Sequence, residues 1–123
     1  MIIYISLPIT GYDLTERKRL AEAAKHHLRG YYPEAEIVTP FDIGEGVELM
    51  NPDAGYADYM KEDIAFIIEL AAAVCFLVSP RFTKSKGVRL EYQTAKIYGK
   101  RIMRLGIGWR MHYERKKVDE RGR

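Results

Sequence analysis

The sequence has a single cysteine, Cys75, in 123 residues. That excludes an internal disulfide and any zinc site built on cysteine pairs. Its place in the apolar run AAAVCFLV marks it as a core thiol. No apolar stretch reaches the roughly 18 to 20 residues of a membrane-spanning helix, and the N-terminus MIIYISLP lacks the basic region of a secretory signal. The expected location is the cytoplasm, with no membrane partner. Histidine is also sparse: His26, His27 and His112 show no metal-ligand spacing, and no metal is expected. Phosphate signatures are missing too. There is no Walker A loop, and no G-x-G-x-x-G follows the first apolar run. The nearest glycine cluster, Gly106-Ile107-Gly108, comes after the last one. Triphosphatase and dinucleotide chemistry find no support, and no organic cofactor is expected.

What is present describes one globular domain, with 47% hydrophobic and 30% charged residues. The net charge of +3 is uneven: residues 100–123 hold nine Lys/Arg against three Asp/Glu, while residues 1–99 sum to −3. The chain divides into a domain over 1–108 and a basic C-terminal tail over 109–123. Aromatics are few in that tail and no nucleic-acid signature accompanies it, so it reads as solvated and nucleic acid is not an expected partner.

Apolar runs alternate with helical patterns. MIIYISL (1–7) is apolar on both alternations, as in a strand covered on both faces. Asp13 with Glu16 three residues on makes an N-terminal cap pattern for a helix stopping near Gly30. AEIVTPF follows as a second strand, then a Gly/Asn/Pro/Asp-rich stretch (42–55) that reads as a long loop. A helix over 56–70 places Tyr56, Met60, Ile64, Ile67 and Ala71 on one stripe. AAAVCFLV is a third strand, a helix ending at Gly99 follows, and RIMRLGI is the fourth strand. Such alternation predicts an α/β fold, a three-layer Rossmann-like or flavodoxin-like sandwich around a parallel sheet of four to five strands, the first and third adjacent and central.

In such a sheet, ligands bind beyond the carboxyl ends of the strands. Pro8 follows the first strand and Asp42 the second at that edge, and both are candidate substrate contacts. Asp63 borders the buried stripe of its helix, whereas Glu62 turns to water. Glu91, three residues after Val88, borders the stripe of the next helix. Two half-buried carboxylates on successive helices suit an acid and nucleophile pair, as in retaining glycosyl transfer; spacing alone favours the alternative, salt-bridged surface residues at helix margins. Tyr4 on the first strand is either a core tyrosine or a phenol that orients a carboxylate. Ser85 and Gly87 open the Glu91 helix, where N–H groups and a hydroxyl can hold an anion, with Ser85 as an ordinary cap the alternative. A carboxylate near that helix start is expected to be kept ionised by the dipole.

Three segments carry a resemblance to a known family. YISLPITGY, YMKEDIAFIIELAAAVCFLVSP and SKGVRLEYQTAKIYGKRI resemble the signature blocks of the nucleoside 2-deoxyribosyltransferase-like family, which includes deoxynucleoside 5'-monophosphate N-glycosidases, and within it a small phage and bacterial branch. The resemblance spans about residues 2–105. It implies that Glu91 attacks C1' of the sugar, that Tyr4 orients the Glu91 carboxylate, and that Asp63 assists departure of the base. It places Ser85 where the monophosphate hydrolases carry serine, and Gly87 where the sugar or phosphate approaches. Arg89, among the residues facing substrate, replaces a glycine usual in relatives. Homodimers or higher homo-oligomers with shared sites are also implied. Leu90, Thr94 and Ile97, set opposite the core stripe, form a matching apolar patch.

The expected function is cleavage or transfer at the N-glycosidic bond of a (deoxy)nucleoside or its 5'-monophosphate, through a covalent glycosyl-Glu91 intermediate. The alternative, favoured by Arg89 and the basic tail, is a non-catalytic nucleotide-binding or adaptor module of the same fold.

Overall fold

A computed structural model describes residues 1–114. Along the chain run β1 (Ile2–Ser6), α1 (Leu14–Tyr31), β2 (Glu36–Val38), α2 (Pro40–Met50), α3 (Tyr56–Glu69), β3 (Ala73–Leu77), α4 (Lys86–Ile97), β4 (Arg101–Leu105) and β5 (Met111–Tyr113). The sheet order is β2-β1-β3-β4-β5. The first four strands are parallel, with Ile5 opposite Cys75 and Cys75 opposite Met103. β5 closes the far edge antiparallel to β4. This is the expected three-layer α/β sandwich, with β1 and β3 side by side in the interior of the sheet.

The double apolar alternation of β1 has a direct structural consequence. Ile3, Ile5 and Leu7 meet Ala21, Ala24 and Leu28 of α1, along with Ala73, Cys75 and Leu77 of β3 and Met103 and Leu105 of β4. Tyr4 faces the other way, into a second cluster with Ile67 of α3, Val74 and Phe76 of β3, and Val88 and Ala95 of α4. Side chains alternate across a strand, so one five-residue segment builds both cores. Cys75 is buried in the first of them.

The long loop expected over 42–55 is instead mostly α2. Thr39 and Asp42 form a capping box: Asp42 N–H donates to Thr39 Oγ1 at 3.2 Å, and Thr39 N–H donates to Asp42 Oδ2 at 2.9 Å. Pro40 takes the first helical position, where its missing N–H costs nothing. Gly44, which looked like a loop glycine, is a packing residue, since an added Cβ would already touch the Tyr59 ring of α3 at 3.5 Å. The sheet also continues past the boundary placed at residue 108, through β5 to Glu114, whose N–H donates to Ile102 O at 3.0 Å. The remainder of the basic tail, 115–123, lies outside the described residues. No helix among the described residues is long and apolar enough to cross a membrane.

Candidate active site

α4 begins at the carboxyl edge of the sheet. Ser85 caps it, its hydroxyl accepting from Val88 N–H at 3.3 Å. Val88, Glu91, Thr94 and Ala95 are the buried residues of this helix. Three of them are suited to burial as they stand, since Thr94 returns its hydroxyl proton to Leu90 O at 2.8 Å. Glu91 is the exception, a carboxyl only 3% exposed.

Its partners come from β1. Tyr4 Oη donates to Glu91 Oε2, and Ser6 Oγ donates to Oε1 at 2.8 Å. Tyr4 and Ser6 are two apart on the strand, so the pleat that sends Ile3 and Ile5 toward α1 sends both hydroxyls toward α4. Each carboxylate oxygen thus receives one hydroxyl. Asp63, on α3 and 6% exposed, comes up beside the same phenol. A phenol, a hydroxyl and two carboxyls from three elements converge on one buried spot.

Burial controls the protonation of this group. It pushes Glu91 up to about 8; the hydrogen bonds from Tyr4 and Ser6 oppose that rise, and the nearby Asp63 charge adds to it. Burial likewise pushes Asp63 up to about 7, helped by the charge of Glu62 and opposed by Tyr4. Tyr4 itself is held well above the ordinary phenol value by burial and by the charges of Glu91 and Asp63. Near neutral pH burial therefore keeps Glu91 protonated, and Asp63, with the lower value, is the first of the two to ionise. The expectation that the helix dipole keeps Glu91 ionised is corrected here. Glu91 lies in the second turn of α4, beyond the first turn to which the dipole effect is largely confined, and desolvation prevails.

The structure brings Tyr4, Asp63 and Glu91 together as one group, and Ser85 and Gly87 lie at the start of the same helix. Gly87 keeps α4 close to α3: an added Cβ would meet Met60 Sδ and Tyr56 Oη, each at 3.4 Å. Lys84, Lys86 and Arg81 beside Ser85 are exposed, and so is Arg89. Pro8 is buried just past β1. Asp42 is not part of the group. It is taken up by the α2 cap and by an ion pair with Lys25 at 3.0 Å. Burial would raise its carboxyl, but the Thr39 N–H and Lys25 hold it below the ordinary value. Ser6 is the residue that sequence reasoning missed, although period-two alternation from Tyr4 points to it. Among the described residues, no group of three His, Cys, Asp or Glu side chains could hold a metal ion.

A family model described as a domain of unknown function (DUF4406) matches residues 1–104, a span that holds β1 through most of β4 and every member of this cluster. The chain belongs to that family. No curated protein and no solved structure matches it.

Proposed function

We propose that this DUF4406 protein cleaves or transfers the N-glycosidic bond of a (deoxy)nucleoside or its 5'-monophosphate, with Glu91 as nucleophile. One observation carries the reading: a buried carboxyl whose two oxygens are each held by a hydroxyl, from Tyr4 and Ser6, next to a second carboxyl whose pKa is lifted to about 7. A structural ion pair would place a cation there. Among the described residues no Lys or Arg forms an ion pair with Glu91, and its oxygens are aimed by hydroxyl donors instead.

The chemistry needs Glu91 ionised and Asp63 protonated, which is the minor arrangement when burial lifts Glu91 to about 8 and Asp63 to about 7; the hydrogen bonds from Tyr4 and Ser6 raise its population by favouring the Glu91 carboxylate. Glu91 then attacks C1' while the C1'–N bond breaks, and Asp63 passes its proton to the departing base. Water or a second base opens the resulting glycosyl ester, which frees Glu91, and the proton of that acceptor restores Asp63. Splitting one displacement into two is the gain of covalent catalysis. A pKa near 7 is that of an effective general acid at neutral pH.

Ser85, Lys84, Lys86 and Arg81 at the start of α4 favour a 5'-monophosphate over a nucleoside. The N–H groups of a helix N-terminus suit a phosphate dianion, and adjacent cations add to the attraction. We place the reaction in the cytoplasm and in a homo-oligomer. Leu90 and Ile97 of α4 are 45% and 76% exposed and offer an apolar surface, whereas Thr94, expected on that face, is buried with Val88, Glu91 and Ala95. The test is chromatography of free base released from deoxynucleosides and their 5'-monophosphates. Release by the native protein and none by Glu91→Ala supports the reading. Ligand binding without release in both proteins leaves a nucleotide-binding module instead.

A further inference from the structure

The side chains that carry the chemistry are shut away from solvent. Tyr4 is 0%, Ser6 1%, Glu91 3% and Asp63 6% exposed. A sugar cannot reach a carboxyl so covered, so the site needs an entrance. The topology puts that entrance at the starts of α3 and α4. These helices run into β3 and β4, which lie parallel to β1 and to each other. Both helices therefore begin at the carboxyl edge, the side from which a ligand arrives in such a fold.

One turn outward from each carboxyl, the burial changes in the same way on both helices. Met60 stands three residues before Asp63, and Gly87 four before Glu91; residues at these spacings share a helix face. Asp63 and Glu91 are buried, whereas Met60 and Gly87 are half-buried. The two outer residues also meet each other. A Cβ added to Gly87 would lie 3.4 Å from Met60 Sδ and 3.7 Å from Met60 Cε. The end of the Met60 side chain thus reaches across to α4, in the layer just outside the carboxyls. Gly87 has no side chain to fill that layer, so the cover there falls to Met60, with the Tyr56 hydroxyl beside it. The other neighbours of the carboxyls are held in place: Tyr4 and Ser6 belong to a central strand, and Ile67 and Val88 are 0% and 4% exposed. Methionine is the movable member, unbranched and with three rotatable bonds.

We propose that Met60 is the gate of the Glu91 site: its side chain spans from α3 to Gly87, closes the two carboxyls off from the carboxyl edge, and swings outward to admit a ligand. That this ligand is the sugar of a nucleoside or nucleotide rests on the glycosyl reading; the gate itself does not.

Chemical access to Glu91 measures the gate without turnover. The native protein, Met60→Ala, Met60→Gln and Met60→Leu are treated with a water-soluble carbodiimide and glycine ethyl ester. A pH of about 6 lies below the raised values of both carboxyls, so both hold their protons. Amide formation is followed by peptide mapping at Glu91, with the exposed Glu22 and Glu34 as references. Alkylation of Cys75, buried in the core on the other face of the sheet, reports global unfolding in parallel samples. Native Glu91 should react far more slowly than Glu22 and Glu34. Met60→Ala removes the gate, and Met60→Gln keeps its length but draws its end toward water. Each should speed reaction at Glu91 by about tenfold or more, a part of the packing lost when a core methionine is truncated. Met60→Leu keeps an apolar cover and stays near the native rate, and Cys75 is unchanged throughout. If Met60→Ala does not fold, Met60→Gln carries the comparison. One rate at Glu91 in all four proteins, native Glu91 as reactive as the references, or Cys75 accelerating in step with Glu91 overturns the gate. Base release from a deoxynucleoside 5'-monophosphate, followed on the same proteins, separates the gate from the reaction. Base released while access to Glu91 ignores Met60 keeps the reaction and overturns the gate. Faster labelling in Met60→Ala and Met60→Gln with no base from any of the four supports the gate and removes the reaction.

Discussion

Replacing Glu91 by glutamine should make the protein more stable in mild alkali and flatten the dependence of its stability on pH. In the unfolded chain this carboxyl releases its proton near its ordinary value of 4.5, and in the folded protein near 8. Between those values the native state holds a proton that the unfolded state has lost. Stability is therefore complete below about pH 4.5 and falls as pH rises toward 8, by about 1.4 kcal/mol per pH unit for one group. Over the whole interval the loss is on the order of 5 kcal/mol as an upper bound, a large share of the 5 to 15 kcal/mol typical of a domain. Glutamine keeps the shape and an acceptor for Tyr4 but has no proton to lose. Asp63 contributes with the same sign in both proteins. Urea unfolding at pH 5 and pH 8.5 reads the difference. At pH 8.5 the variant should unfold later, by roughly 2 M if the m-value is near 2 kcal/mol/M, with little or no advantage at pH 5. Equal pH slopes in the two proteins would refute the burial argument.

Other consequences are more direct. Asp63→Asn should slow base release by ~10² to 10⁴-fold, as for loss of a general acid, and should abolish the limb of the pH–rate profile that reflects deprotonation near 7; an unchanged profile removes Asp63 from the chemistry. Ser85→Ala should lower kcat/KM on a 5'-monophosphate more than on the matching nucleoside, and equal efficiency of the native protein on both would end the phosphate reading. Static light scattering at micromolar concentration should show a dimer or larger, and Leu90→Lys with Ile97→Lys should shift it toward monomer; a monomeric native protein contradicts the interface.

Much of this architecture is written in simple periodicities. β1, β3 and β4 announce themselves as short apolar runs, and the stripes of α3 and α4 place Asp63 and Glu91 at the edge of buried faces. The misses have physical causes. α2 carries Gly44 and Gly46, residues that weaken a helix on propensity alone, while its evidence lay in the Thr39–Asp42 box and in Pro40, at a boundary read as the end of a strand. β5 is three residues, Met-His-Tyr, with little apolar pattern; it forms because β4 offers an open edge. Ser6 was hidden by its neighbours, since in a strand buried on both sides a small polar residue attracts no notice until its partner is known. The state of Glu91 was misjudged because sequence spacing reveals position along a helix, whereas desolvation depends on what the sheet and α3 place over it.

The central claim, that Glu91 bonds to the sugar, is tested most directly by intact-protein mass spectrometry during turnover of a deoxynucleoside or its 5'-monophosphate, quenched in acid and followed by peptide mapping. The account predicts an added mass equal to the substrate minus its protonated base, located on Glu91 and missing from Glu91→Gln. Base released at the native rate by Glu91→Gln, or an adduct mapped to any other residue, would contradict it.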